Sequence, residues 1–400
     1  MWHRAASAAS AASLRVHRPV TVYTFVAQHH GIMLNDLEVA LGAGGLKGAF
    51  QVGLLSALDN RHIQRVKKCS GVSTGALTGA CLMSAAPKAT LQTYYRTALA
   101  QPLVPKGNKY WRAAKQYLTH KNALYDGIIF ERLARAVLSP IGLNKSLLVG
   151  VKPMSSRQQH SVTLTHNTHF DDVVQSVLAS SAIMGVFPPR HLPDLGPCVD
   201  GGFISGLHLP HLRDTMKNRN TRVLMIVSCN ASCAANAKAE ANYLGESNDS
   251  LGLHQDNANP TLHTAVMHWL HHSQKLCDLG DVSRLRHELQ LADMPDGVFG
   301  ALYDGLGNTP FVYNARATFE ELPKAPAARH KPMVVVYCAP KLQENFAQTA
   351  NDIALMTGAQ EQRTKTLQRY HNVGASYAPD VSRVLDLAAR WTQHRRHNST

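Results

Sequence analysis

The chain predicts an α/β fold in which a central, mostly parallel sheet is flanked by helices, and two observations carry that expectation. Twice, a short predicted strand runs into a tight glycine-containing turn and then into a segment suited to a helix, the repeating unit of a parallel sheet. Residues 221–228 and 332–338 are nearly continuous apolar runs, which strands covered on both faces require. With 400 residues, 44% of them apolar, the chain can bury a large core.

The first unit starts with a strand over Asn35–Leu41. It leads into Gly42-Ala43-Gly44-Gly45-Leu46-Lys47-Gly48 and a helix over Ala49–Leu58. A glycine-rich loop placed there presents bare backbone N–H groups to an anion, and the helix dipole adds favourable potential. Two anions suit it: a phosphate, or the oxyanion of a tetrahedral ester intermediate. The phosphate patterns do not fit. Lys47 precedes the last glycine and Ala49 stands where a Walker loop needs a hydroxyl; Gly42, Gly44 and Gly48 are spaced one residue too long for a dinucleotide fingerprint.

The second unit has a strand predicted at His62–Cys69, the turn Gly71-Val72-Ser73-Thr74-Gly75, and an apolar small-residue helix over Ala76–Ala86. A serine hydroxyl is a poor nucleophile unless held clear of its own backbone, which a Gly-x-Ser-x-Gly turn between strand and helix achieves. Gly71 and Gly75 bring no Cβ to crowd that turn. Ser73 is therefore the candidate nucleophile. The pattern alone is common; its setting gives it weight.

Residues 85–143 read as mostly helical and basic, with Tyr94, Tyr95, Trp111 and Tyr117 interleaved among Lys106, Lys109, Arg112, Lys115 and Lys121. That mixture suits either a membrane interface or an amphipathic helix pair whose aromatics are core. Strands follow at Ser146–Lys152 and His160–His166. Asp171 and Asp172 are read as the cap of a helix through residues 173–182, stopped by Pro188-Pro189. Val199-Asp200-Gly201-Gly202 then sets an acid at a strand end with two glycines giving clearance. Asp200 in that position can accept a serine proton in place of histidine, although Asp-Gly-Gly is also an ordinary turn. Beyond Pro210, residues 236–260 read as a polar surface loop or lid, 262–276 as a His-rich helix, and 343–400 as helices broken between Gly374 and Pro379.

Three elements in this order, the Gly-Gly-x-Lys-Gly loop, Gly-x-Ser-x-Gly and Asp-Gly-Gly, resemble a patatin-like phospholipase. Ala179–Pro189 is similar to the family's segment leading to its aspartate, so the resemblance spans about 37–210. It implies a three-layer α/β fold and a metal-free, cofactor-free Ser-Asp dyad that hydrolyses acyl esters of lipids, in the manner of a phospholipase A or lysophospholipase. Carried over by position, Ser73 is the nucleophile and Asp200 the base. Gly44, Gly45 and Leu46 offer the oxyanion amides, and Lys47 and Gly48 shape the loop. Two departures stand out. Ala43 replaces a glycine found in many members, and Phe203–Pro210 is longer than the usual continuation and lacks its asparagine. They motivate the alternative of a non-catalytic, lipid-binding or scaffolding relative. His208 and His211 lie close in sequence and are weighed as a third catalytic member.

The formal charge of +14, with 22 histidines uncounted, predicts attraction to anionic surfaces. Acidic lipid head groups are the expected partner; no nucleic-acid motif is present. Arg390–His397 reads as a solvated basic tail. Seven cysteines at irregular spacings argue against a disulfide framework and for a reducing compartment. Neither Cys229 with Cys233 nor His271, His272 and Cys277 has zinc-site spacing. No apolar run is long enough to span a bilayer. Residues 1–34, rich in Ala and Ser with no acid, read as a basic leader or a transit peptide. The expected organisation is that leader, a catalytic domain over 35–340 and a helical extension over 341–400. Its expected location is the cytoplasm, peripheral to membranes, with mitochondrial import as the alternative.

Overall fold

Five parallel strands in the order β4-β3-β2-β8-β11 form the centre of the sheet, and antiparallel strands extend it on both sides. The computed structural model describes residues 15–17, 37–101, 123, 127–138, 142–183 except 157, 186–208, 211–215 except 213, 222–226, 297–303, 310–324, 333–340 and 360–397. The strands are β1 (Arg15–His17), β2 (Leu37–Leu41), β3 (Val66–Val72), β4 (Ser146–Pro153), β5 (His160–Leu164), β6 (Arg190–Leu192), β7 (Gly196–Asp200), β8 (Arg222–Ile226), β9 (Gly297–Tyr303), β10 (Phe311–Asn314) and β11 (Met333–Ala339). The helices are α1 (Gly48–Ala57), α2 (Asn60–Arg65), α3 (Thr74–Leu82), α4 (Pro87–Ala100), α5 (Ile128–Leu138), α6 (Phe170–Ser180) and α7 (Gln360–His397). Strands β5 and β1 continue the sheet beyond β4, β7 also pairs β4, and β9 with β10 continues it beyond β11. This is the α/β sheet with flanking helices that the strand–turn–helix units predict.

The continuous apolar runs arise because both faces are covered. Along β11, Val334, Val336 and Cys338 join the core beneath the helices. Met333, Val335, Tyr337 and Ala339 enter a second core on the opposite face with Leu207, Leu212 and Val223. Alternation is present in space and invisible in composition.

Three local expectations are corrected. The strand read at His62–Cys69 begins only at Val66, because Asp59 accepts a hydrogen bond from the Arg61 N–H at 3.1 Å and caps the short helix α2. The cap of α6 is His169, whose Nδ1 accepts from the Asp171 N–H at 3.3 Å; Asp171 and Asp172 occupy the first turn, where they complement the helix dipole.

The third concerns the break between Gly374 and Pro379. Residues 360–397 form one 38-residue helix with Pro379 inside it. Gly374 is a crossing point: a Cβ there would stand 2.0 Å from the Phe50 carbonyl oxygen, and one on Gly53 would stand 2.0 Å from that of His371. The two glycines let α7 lie directly on α1. Buried Tyr370, Val381, Leu385 and Trp391 hold it there, the Trp391 indole donates to the Pro323 carbonyl at 2.9 Å, and Arg61 pairs with Asp386 at 2.6 Å.

The hairpin β9–β10 has no counterpart in the sequence reading. The lid candidate, the His-rich helix, Trp111, Tyr117 and the lysines between them lie outside the described residues, as do Cys229, Cys233, His271, His272 and Cys277. Among the described residues no helix is long and apolar enough to cross a membrane.

Candidate active site

Backbone register brings the three motifs together. Leu41 at the end of β2 pairs with Gly71, Val72 at the end of β3 pairs with Gly150, and Val151 pairs with Asp200 on β7. The glycine loop, the serine and the aspartate therefore emerge side by side from neighbouring strands, at the carboxyl edge where open α/β sheets bind ligands.

The turn after β3 is strained. Ser73 has φ 58° and ψ −126°, and among the described residues it is the only non-glycine with positive φ. Such a conformation costs on the order of 1–3 kcal/mol and persists only where surroundings enforce it. Enforcement is visible on both sides. A Cβ on Gly71 would meet the Gly75 carbonyl oxygen at 2.3 Å, and one on Gly75 would meet the Leu41 carbonyl oxygen at 2.5 Å. The Ser73 N–H donates to Ser180 Oγ at 2.9 Å, and that hydroxyl donates to the Gly150 carbonyl at 2.6 Å. Ser180 thus ties the elbow to β4, a function that sequence reading passed over; its sole signal there is a place among the small residues of Ala179–Pro189.

In the loop after β2, Gly45 takes φ 53° and begins a 3₁₀ turn over Gly45–Lys47. The Lys47 N–H closes on the Gly44 carbonyl, and the Gly48 N–H on those of Gly45 and Leu46. The amides of Gly44, Gly45 and Leu46 have no hydrogen-bond partner among the described residues. Ala43 does not need positive φ: its N–H donates to the Gly206 carbonyl at 2.7 Å, and the left-handed position falls on Gly45. A Cβ on Gly48 would lie 2.8 Å from the Thr74 side chain, a measure of how tightly this loop abuts the elbow.

Asp200 is completely buried, at 0% exposure, and Ser73 is nearly so at 3%. Burial pushes the carboxyl up to about 7, opposed by a hydrogen-bonding contact from Ser73 and by the Gly202 N–H, which donates to Oδ1 at 2.8 Å. The Ser73 contact is loose, since Oδ2 has no partner at ordinary hydrogen-bond geometry. Catalytic hydrogen bonds are often long in the free enzyme and tighten on substrate. The Asp200 N–H donates to the Ala182 carbonyl at 3.0 Å, so the end of α6 positions the acid as well as the elbow.

The neighbouring histidines are engaged elsewhere. His208 Nδ1 accepts from the His211 N–H at 3.2 Å, leaving Nε2 to donate to Ser161 Oγ at 2.7 Å, and burial pushes its pKa down to about 3. It is a neutral core imidazole. His211 pairs with Glu38 at 3.2 Å. Among the described residues the group beside Ser73 is a carboxylate and not a histidine, and no cluster of His, Cys, Asp or Glu has a metal-binding arrangement.

A cleft of about 680 Å³, its mouth included, opens over Ser73. Its walls are apolar: Leu46, Ala49 and Val52 on one side, Phe130, Ile183 and Phe187 on another, with Tyr94 and Tyr95 from α4. The two tyrosines of the basic segment are thus cleft and core residues. Helix α7 completes the enclosure with Leu367, and His371 stacks on the Tyr95 ring at 3.9 Å between centroids. Such a space has the size and apolar lining to take a hydrocarbon chain, with the Ser73 side chain on its wall.

Residues 39–212 match the family model described as patatin-like phospholipase. Among solved structures, VipD from Legionella pneumophila aligns at 12% identity over 90% of this chain and 91% of its own, with a TM-score of 0.27. Curated protein sequences contain no match.

Proposed function

We propose that this chain, whose residues 39–212 match the patatin-like phospholipase model, is a lipid acyl hydrolase that cleaves fatty-acyl esters of phospholipids or lysophospholipids through a Ser73–Asp200 dyad. Asp200 takes the hydroxyl proton as Ser73 Oγ attacks the acyl carbonyl. The amides of Gly44, Gly45 and Leu46 hold the oxyanion. Asp200 returns the proton to the leaving alkoxide, leaving an acyl-serine. It then takes a proton from water, whose oxygen attacks the acyl carbon, and returns that proton to Ser73 Oγ as the acyl–serine bond breaks and the fatty acid leaves.

The observation that carries this reading is a strained serine in contact with a fully buried carboxylate at the floor of an apolar cleft. A pKa near 7 suits a base that must hold and surrender a proton at neutral pH. Neither departure from the family pattern removes a working part. Ala43 carries no left-handed strain, and the longer segment after Gly202 still leaves Asp200 capped by the Gly202 N–H. The non-catalytic alternative therefore has no observation in its favour. Release of oleate from 1-oleoyl-lysophosphatidylcholine, lost in Ser73→Ala and in Asp200→Asn, is the direct test; full release by Ser73→Ala would end the assignment.

The +14 charge supports peripheral association with anionic bilayers. Binding to phosphatidylserine vesicles should weaken as salt rises from 50 to 500 mM, and salt-independent binding would remove this part. The membrane-peripheral part of the location rests on the same charge, and the cytoplasmic part on the seven irregularly spaced cysteines, which suit a reducing compartment. Mitochondrial import is its alternative, and it requires a cleaved N-terminus in protein from the natural host.

A further inference from the structure

Residues 201–206 join the base to the glycine loop. At one end the Gly202 N–H donates to Asp200 Oδ1 at 2.8 Å; at the other the Gly206 carbonyl accepts from the Ala43 N–H at 2.7 Å, one residue before the amides of Gly44, Gly45 and Leu46. Apart from a 3₁₀ turn over Gly201–Phe203, the segment has no regular structure to fix its shape. Contacts from outside must do so.

Gln159, just before β5, supplies them. Its side chain is buried, and Nε2 donates to the Gly201 carbonyl at 3.2 Å and to the Ser205 carbonyl at 3.1 Å, so one carboxamide holds the segment near each of its ends. The fit is close. A Cβ on Gly150 would lie 3.0 Å from that nitrogen, and one on Gly201 would lie 3.1 Å from it. Gly150 is also the residue whose carbonyl accepts from Ser180 Oγ, the hydroxyl that holds the Ser73 N–H. Gln159 therefore abuts the strand that anchors the nucleophile while it grips the segment that links base and loop. Its Oε1, by contrast, is buried without a hydrogen-bond partner. An orphaned acceptor costs stability, so the amide is poorly suited to filling space and well suited to holding two carbonyls.

We propose that Gln159 is a positioning residue that keeps the base and the oxyanion-binding loop in register through residues 201–206. It touches no reacting atom, and the proposal rests on the hydrolase reading for the roles of Asp200 and the glycine loop. Losing its two donors should let the segment shift and weaken the Gly202 N–H bond to Asp200. That bond and the Ser73 contact are what oppose the effect of burial on the carboxyl, so its pKa should then rise.

The test uses the full chain and 1-oleoyl-lysophosphatidylcholine. Gln159→Met roughly keeps the volume and removes both donors together with the orphaned oxygen. Its kcat should fall about ten- to a hundredfold with KM within about twofold, the scale of a small misplacement of reacting groups. The ionisation near pH 7 in the rate profile should move up by about half a unit to one unit. Its melting temperature should stay within a few degrees of wild type, because a lost pair of bonds is offset by a lost orphan. A kcat within about threefold of wild type, or an unmoved ionisation, would overturn the proposal. Should Gln159→Met not fold, Gln159→Glu decides: it keeps one donor while its carboxyl is protonated, so its kcat relative to wild type should fall from pH 6 to pH 9, and a constant ratio would overturn the proposal.

A second arm does not depend on turnover. In amide hydrogen exchange read by mass spectrometry of overlapping peptides, Gln159→Met should speed exchange at residues 202–207 and at Ala43 together, by about tenfold or more, and leave β11 and α7 at wild-type rates. Faster exchange at 202–207 without Ala43 would overturn the coupling. Faster exchange throughout the chain would make Gln159 a stability residue and overturn the proposal as well. If wild type does not hydrolyse the lipid, the hydrolase reading fails while this arm still decides whether Gln159 couples the two segments.

Discussion

In the floor of the cleft, the glycine-loop amides, Ser73 and Asp200 stand at the ends of neighbouring strands and are aligned by backbone pairing. In its far wall, Tyr95 and Leu367 come from helices at opposite ends of the chain and are aligned by packing, with Gly53 and Gly374 setting how closely α7 approaches α1. The floor depends on hydrogen bonds and steric clearance at single atoms, so changes there should remove chemistry and spare stability. The wall depends on buried contact, so changes there should cost stability or alter substrate shape and spare the nucleophile. Five substitutions test whether the two regions separate in this way.

The largest effect is expected in the floor. Ser73→Ala should lower fatty-acid release on the order of 10⁴- to 10⁶-fold, the scale seen when a hydrolase loses its nucleophile, with an unchanged circular dichroism spectrum. Asp200→Asn should come close to that loss while gaining stability. Because the folded-state pKa of Asp200 lies above the unfolded value, its contribution is fully present below about pH 4 and is lost as pH rises through about 7. Asp200→Asn should therefore be more stable than wild type above pH 7, by up to about 4 kcal/mol in denaturant unfolding, and show no gain near pH 4. A loss of stability at pH 8 would contradict the buried-carboxylate account.

A methyl group at the helix crossing should act the other way. Gly374→Ala should cost about 3 kcal/mol by overpacking against Phe50, measured by urea unfolding. Protein that remains folded should still react at Ser73; if it does not, floor and wall are one cooperative unit. Ser180→Ala probes the seam between them. Loss of its bonds to the Ser73 N–H and the Gly150 carbonyl should lower kcat about tenfold and leave KM within about twofold, since the elbow loses its anchor and the cleft does not. The smallest change is expected from Leu367→Phe, which narrows the wall and should shift chain-length preference toward shorter acyl groups by a few-fold.

The same contrast explains what the sequence discloses. Gly42–Gly48, Gly71–Gly75 and Val199–Gly202 each place their chemistry within a few residues, and parallel pairing of β2, β3 and β4 with antiparallel pairing of β7 on β4 then brings the strand ends together. Ser73, Asp200 and the loop glycines are legible for that reason. Ser180 is not, because its hydroxyl reaches an amide 107 residues away. Gly374 looks like a break in isolation and is a packing surface once α1 lies against it. Leu367 has no local signature, since what makes it notable is the cleft it lines in the fold. The misread starts of β3 and α6 come from Asp59 and His169, whose side-chain caps depend on where the preceding chain turns.

The central claim is that Asp200 activates Ser73, and fluorophosphonate labelling of the full chain, mapped by peptide mass spectrometry across pH, tests it most directly. Labelling should fall on Ser73, with a rate that rises through a single ionisation near pH 7 in wild type and drops by orders of magnitude in Asp200→Asn. Undiminished labelling of Ser73 in Asp200→Asn, or a modified serine elsewhere in its place, would contradict the dyad.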